Sequence, residues 1–277
     1  MAANLYLWRI EIWKETQEAA YKCGAPPSLR FEPRQVKKSA IKNRGFATTI
    51  NVIDQDCLEV AQALKEAGMR PVVLNLSDDG MAGGAVDIGS GAQEESLWRR
   101  TALCVTQTQD FYPLAPQPAL IYSSAVAVLR DTEVKNYAWL SKPWTVDFIA
   151  CPAIKYPKWI RTPESPDGDL NPEDKATLEE RLRFILDVAA MMGNTAVVLG
   201  PMGCGAWRNP PHAVANIFRK VLPDYNGVFQ AIVVAALTTG DRGGTSNASI
   251  FRDIMVPAAA PAIAPAAAHA VNDRCVE

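Results

Sequence analysis

The sequence predicts an α/β fold in three layers, with a mixed, mostly parallel central sheet flanked by helices and an N-terminal helical extension. Three observations predict it. Short runs rich in β-branched and aliphatic residues alternate along the chain with longer segments of helical periodicity. Several of those runs, PVVLNL (71–76), AVVLG (196–200) and QAIVVAAL (230–237), are apolar almost throughout, as a strand covered on both faces must be. Two of them lead into glycine-rich loops that open helices, at the edge where open α/β sheets bind ligands.

In chain order, residues 4–22 predict an amphipathic helix with Leu5, Trp8, Ile12 and Ala19 near one face. Residues 23–46 carry Pro26, Pro27 and Pro33 and the cations Arg34, Lys37 and Lys38, and are expected to form a loop or arm. ATTINVI (47–53) reads as a strand, and Asp54 is placed to cap a helix running to Ala67, with Gly68 as its stop. After the strand at 71–76 comes the glycine-rich stretch 80–92, then a helix over QEESLWRRTALC (93–104). ALIYSSAVAVL (119–129) and TVDFIAC (145–151) are further strands, and 162–174 is read as a surface loop ending in the N-cap Asn171 and Pro172.

The next helix sets Leu178, Leu182, Ile185, Leu186 and Ala189 on one face and stops at Gly193. The strand 196–200 then meets GCGAWRN (203–209), a helix begins at the following prolines, and 230–237 is the last strand. The division expected is an N-terminal helix and arm (1–46) packed on the core, a ligand-binding domain (47–256), and an Ala/Pro-rich flexible tail (257–277).

Composition narrows the function classes. A net charge of −2 gives no broad attraction for nucleic acid or membranes, so no direct nucleic-acid partner is expected. No run approaches the roughly 20 apolar residues of a membrane span, and the N-terminus lacks a cleavage signature, so an intracellular protein is expected. The six cysteines are scattered without CxxC spacing, which predicts reduced thiols and no metal. With only His212 and His269 in the chain, Ser-His-Asp and Cys-His mechanisms are poorly supplied.

The chemistry concentrates in the two glycine loops. Glycine lets backbone approach a phosphate closely, and two strand–glycine–helix junctions point to a diphosphate. GMAGGAVDIGSG lacks both the Gly-Lys-Ser/Thr ending of a P-loop and the phasing of a dinucleotide fingerprint. Gln93-Glu94-Glu95 follows it directly. Adjacent helical residues diverge by about 100°, which argues for two distinct roles rather than a symmetric pair. The plain alternative is that both acids simply favour a helix N-terminus.

The segment VLNLSDDGMAGGAVDIGSGAQEESLWRRTAL resembles the signature of microbial, macrodomain-type poly(ADP-ribose) glycohydrolases. VVLGPMGCGAWRNPPHAVANIF is similar to the same family's second loop, and the likeness extends over roughly residues 5–240. The resemblance implies a macrodomain-like core and hydrolysis of the ribose–ribose bond of poly(ADP-ribose), with no cofactor and no metal. It implies that Glu95 is the acid and later the base, and that Glu94 and Gln93 belong to the same site. Asn75 would position the distal ribose, Gly83 and Gly84 would wrap the diphosphate, and Gly203, Cys204 and Gly205 would form the second diphosphate loop with Trp207 against the ligand.

The sequence departs from that pattern at Ala82, where the family has the first glycine of a triplet, and at Asp78 and Asp79. Two acids beside a polyanion weigh against chain-type substrates, which keeps a mono-ADP-ribosylated protein in view as substrate of an ADP-ribosyl hydrolase. A non-catalytic ADP-ribose reader is the other alternative, and a monomer is expected in each case.

Overall fold

The computed structural model describes residues 2–24, 28–115, 118–163, 165–238 and 245–255, so the expected tail at 257–277 lies outside the described residues. Each apolar run read as a strand is one: β2 (Thr49–Ile53), β3 (Pro71–Asn75), β4 (Leu120–Arg130), β5 (Trp139–Ala150), β8 (Ala196–Leu199) and β9 (Ala231–Ala235). Three further strands were not anticipated: β1 (Leu29–Phe31) and the hairpin of β6 (Trp159–Thr162) and β7 (Ser165–Leu170). The main sheet runs β1-β4-β5-β3-β8-β9-β2. Strands β2, β9, β8, β3 and β5 are mutually parallel, whereas β4 pairs antiparallel with β5 and with β1.

Helices cover both faces because successive strand residues alternate sides. Val72 and Leu74 of β3 pack with Leu178, Leu182, Ile185 and Leu186 of α4 (Pro172–Met191), with α5 (Pro211–Val221) and with α6 (Asn247–Met255). Val73 faces the other side, against Trp13 and Ala20 of α1 (Ala2–Cys23), Leu58 and Ala61 of α2 (Cys57–Glu66), and Leu97 and Trp98 of α3 (Gln93–Trp98).

Several expectations are corrected. Arm residues Leu29–Phe31 form an edge strand, because backbone pairing with β4 satisfies a sequence that carries no strand periodicity. The cap of α2 is Asp56, whose carboxylate accepts from the Leu58 and Glu59 amides, while Asp54 accepts from the Thr238 amide and hydroxyl across the sheet end. Helix α3 stops at Trp98, six residues short of the expected end, as Thr101 bridges to Val128 and Ala102 donates to the Ala127 carbonyl. The 162–174 loop is largely the β6–β7 hairpin, although Asn171 does cap α4, accepting from the Asp174 amide.

Helix α1 is in place but rotated: Ile12, Trp13, Thr16 and Ala20 are buried, and Leu5 is exposed. Buried polar anchors set that rotation. Trp13 Nε1 donates to Asp87 at 2.7 Å, Thr16 Oγ1 donates to the Arg99 carbonyl at 2.8 Å, and Arg9 pairs with Glu133 at 2.7 Å. Two of its contacts, Trp13 to Asp87 and Arg9 to the Gly89 carbonyl, grip the first glycine loop. The N-terminal helix is therefore part of the scaffold of that loop. No helix among the described residues is long and apolar enough to cross a membrane.

Candidate active site

The site begins where β3 ends. Asn75, its last residue, is fully buried, and its Nδ2 donates to Gln107 Oε1 at 3.0 Å and to Glu94 Oε1 at 3.3 Å. Gln93 joins the start of α3 to the same strand end: its Oε1 accepts from the Leu76 amide at 2.9 Å and its Nε2 donates to the Leu74 carbonyl at 2.8 Å. Asn75 thus contacts Glu94 directly, and Gln93 fixes the start of α3, the helix that carries both glutamates. Gln93 in effect replaces one further residue of strand pairing, which locks the angle at which α3 leaves the sheet.

Glu94 and Glu95 are both buried, at 4% and 6% exposure, which for adjacent carboxylates demands specific support. Glu94 Oε2 accepts from the Asp78 amide at 2.6 Å, and Glu95 Oε1 accepts from the Ala85 amide at 3.0 Å. Glu95 Oε2 is buried without a hydrogen bond in the structure. The first glycine loop therefore wraps around the two side chains, one amide to each. Contrary to the divergence expected of neighbours on a helix, both carboxylates reach one point: a Cβ on Gly84 would lie 2.8 Å from Glu95 Oε1 and 2.9 Å from Glu94 Oε2. Their long side chains overcome the angle between the two Cα–Cβ bonds.

Burial holds the Glu94 carboxyl well above the usual carboxylate range; the Asp78 amide opposes the shift and the neighbouring Glu95 adds to it. A proton bound more tightly in the folded chain than in the unfolded one stabilises the fold in acid, and that contribution is lost as pH rises through the raised value. Glu94→Gln keeps the shape and removes the titration. Its melting temperature relative to the wild type is expected to climb as pH is raised from about 4 towards neutrality; parallel stability curves for the two proteins would refute this.

Two features singled out in the sequence, Ala82 and the Asp78–Asp79 pair, find physical explanations. Ala82 does not adopt a left-handed backbone, unlike Gly83 and Gly84 at φ +78° and +57°, so a methyl group costs nothing there. Its amide is held by Gln109 Oε1 at 3.0 Å. Asp78 and Asp79 are both paired to Lys155 Nζ, the former at 2.7 Å, so one cation offsets part of their charge.

The second loop leaves β8 beside β3. Gly203, at φ +72°, leaves room for the buried Asn209, whose Nδ2 donates to the Ile154 carbonyl at 2.7 Å and fixes the loop to the segment after β5. Gly205 is exposed, with nothing near its missing side chain. Cys204 packs against the core and burial pushes its thiol up, away from the thiolate a nucleophile needs. Trp207 is half-buried, edge-on to Tyr156 with ring centroids 5.4 Å apart, and Lys155 Nζ sits 4.7 Å from its ring centroid.

Lys155 thus bridges the two loops, and with Gln107 and Gln109 it forms a supporting set that the sequence did not point to. Each acts across 27 or more residues and none lies in a motif, whereas Asn209, the last residue of the second glycine motif, reaches back to Ile154. Among the described residues no cluster of three or more His, Cys, Asp or Glu side chains is arranged to hold a metal ion.

Comparison with known proteins agrees with the first motif and with the fold. Residues 12–131 match the family model for the microbial-type PARG catalytic domain. The fold superposes on the poly(ADP-ribose) glycohydrolase of Thermomonospora curvata with a TM-score of 0.74 at 26% identity, covering 89% of this chain and 98% of that one. The same enzyme bound to the inhibitor ADP-HPD gives 0.70 at 26%, over 88% and 97%. The Deinococcus radiodurans enzyme in complex with ADP-ribose gives 0.67 at 28%, over 87% and 95%. No curated protein matches the chain by sequence.

Proposed function

We infer that this chain, whose residues 12–131 match the microbial-type PARG catalytic domain and whose fold is that of bacterial poly(ADP-ribose) glycohydrolases, hydrolyses the ribose–ribose O-glycosidic bond of poly(ADP-ribose). One observation carries the reading. Glu95 is buried against the first glycine loop, with one carboxylate oxygen fixed by the Ala85 amide and the other unpartnered. An acid so placed has one oxygen committed to orientation and one available for proton transfer.

In this reading Glu95 protonates the leaving ribose oxygen as the glycosidic bond breaks. The ring oxygen of the distal ribose shares the charge of the oxocarbenium-like state. Glu95, now a carboxylate, takes a proton from the attacking water and is restored. Glu94, held by Asp78 and Asn75, binds a hydroxyl on the leaving side. Gly83 and Gly84 admit the diphosphate and ribose at close range, and Gly203, Cys204 and Gly205 supply the opposite wall with Trp207. The catalytic unit is residues 47–256 with 1–46 packed on it, acting as an intracellular monomer.

The test is to incubate the protein with poly(ADP-ribose) and with Ser- and Glu-linked mono-ADP-ribosylated protein, and to follow free ADP-ribose. Release from the polymer is expected. Release only from a mono-modified protein would make it an ADP-ribosyl hydrolase, and binding without release from any substrate would leave a reader.

A further inference from the structure

Residues 154–156 follow β5 and are fastened to the second glycine loop on both sides of Lys155. The Ile154 carbonyl accepts from Asn209 Nδ2 at 2.7 Å, and the Tyr156 amide donates to the Trp207 carbonyl at 3.1 Å. Tyr156 and Arg208 take left-handed backbone at this junction, with φ +48° and +58°, a conformation that a non-glycine residue keeps only where its surroundings enforce it. From there the Lys155 side chain crosses to the first loop, its Nζ 4.7 Å from the Trp207 ring centroid and paired to Asp78 and Asp79.

Asp78 faces two ways. Its Oδ1 accepts from the Gly80 and Met81 amides at 2.8 and 3.0 Å, and its Oδ2 takes the lysine at 2.7 Å. Its own amide donates to Glu94 Oε2 at 2.6 Å. The residue that Lys155 grips is thus the one that grips Glu94. Burial pushes the Asp78 carboxyl up, yet Lys155 and the two amides outweigh it and hold the group below the usual carboxylate range. Asp78 is therefore charged where Glu94 titrates, and after burial its charge is one of the influences that raise Glu94. The other titratable groups facing Glu94 are Glu95 on its own helix and Tyr112, whose phenol burial pushes far up and keeps neutral.

We propose that Lys155 is a positioning residue for the glutamate pair: acting through Asp78, it fixes the Glu94 carboxylate against the first loop and offsets the negative charge which that carboxylate faces. The role in turnover rests on the glycohydrolase reading. Without the cation, the Asp78 charge acts on Glu94 in full. Like charge disfavours ionisation, so the pair holds its proton to higher pH.

Carboxyl-carbon NMR titration of Glu94 in the free protein tests this without recourse to turnover. Lys155→Met keeps the length of the side chain and removes its charge. The Glu94 midpoint is expected to rise by about half a unit, a fraction of what a directly adjacent charge does, and Lys155→Arg should restore it. Asp78→Asn keeps an oxygen for the Gly80 and Met81 amides and its own amide for Glu94. In that background Lys155→Met should leave the midpoint almost where it was, because the charge that the lysine offsets is gone. With polymer as substrate, Lys155→Met should lower kcat about tenfold and move the basic limb of its pH profile upward, and Lys155→Arg should recover both. A midpoint that stays put in Lys155→Met, whatever happens to kcat or melting temperature, would make Lys155 a structural tie and overturn the proposal. A rise as large in Asp78→Asn as in the wild type would overturn it too, since the charge would then reach Glu94 by another path. Failure of the glycohydrolase reading would look different: the wild type would release no ADP-ribose from polymer while the Glu94 titration still responded to Lys155.

Discussion

Glu95→Gln is expected to slow release of ADP-ribose from the polymer by about a thousandfold, the scale of a lost general acid–base group, while ADP-ribose still binds. The amide oxygen of Gln can go on accepting the Ala85 N–H bond that Glu95 Oε1 accepts, so the loop keeps its anchor and only the transferable proton is lost. Glu95→Ala removes both and should add a loss of binding, because the Ala85 amide is then left without its partner. The pair therefore separates chemistry from architecture. Glu94→Gln should have a smaller effect on kcat, since its partners Asp78 and Asn75 hold it as a positioning group in this reading. Titration calorimetry with ADP-ribose and a time course with polymer measure both quantities. Turnover in Glu95→Gln within tenfold of the wild type would remove Glu95 from the role of acid.

The parts of this site that were legible in the sequence are those whose physics is local. A glycine loop after an apolar strand is written in consecutive residues, as is a Gln-Glu-Glu run at the start of a helix, and the strands β3, β8 and β9 are buried on both faces and hence apolar at every position but the terminal Asn75. What escaped is held by long-range contacts. The strand Leu29–Phe31 owes its existence to β4, some 90 residues away in sequence, and carries no period of its own. The cap of α2 went to Asp56 rather than Asp54 because Thr238 claims Asp54 from the end of the sheet. The convergence of Glu94 and Glu95 could not be read from helical angles, since it depends on side-chain reach and on Asn75, Asp78 and Ala85 drawing each carboxylate to Gly84. Lys155 was invisible for the same reason: nothing near it in sequence says that it will sit between two loops.

A single methyl group at position 84 should damage turnover second only to the loss of the acid. Gly84 has φ +57°, a region that costs a non-glycine residue about 1–2 kcal/mol, and its missing side chain is where both carboxylates meet. An added Cβ at 2.8 Å from Glu95 Oε1 and 2.9 Å from Glu94 Oε2 forces those oxygens aside, and with them the bonds to Ala85 and Asp78. The expected result for Gly84→Ala is a fall in kcat of about a hundredfold, on the scale that misplacement of reacting groups by about 1 Å produces, with a folded protein whose melting temperature drops only modestly. Gly83→Ala should behave in the opposite way. Its Cβ would come within 2.6 Å of the buried Trp98 ring, which is packed against Trp13 and cannot retreat, so stability should fall first and activity with it. Ala82→Gly is the control: position 82 already carries its methyl group outside the left-handed region, and a glycine there should leave kcat unchanged. If Gly84→Ala turned over polymer at the wild-type rate, the two carboxylates would not be pressed against that glycine, and the loop would be lining the site without shaping it.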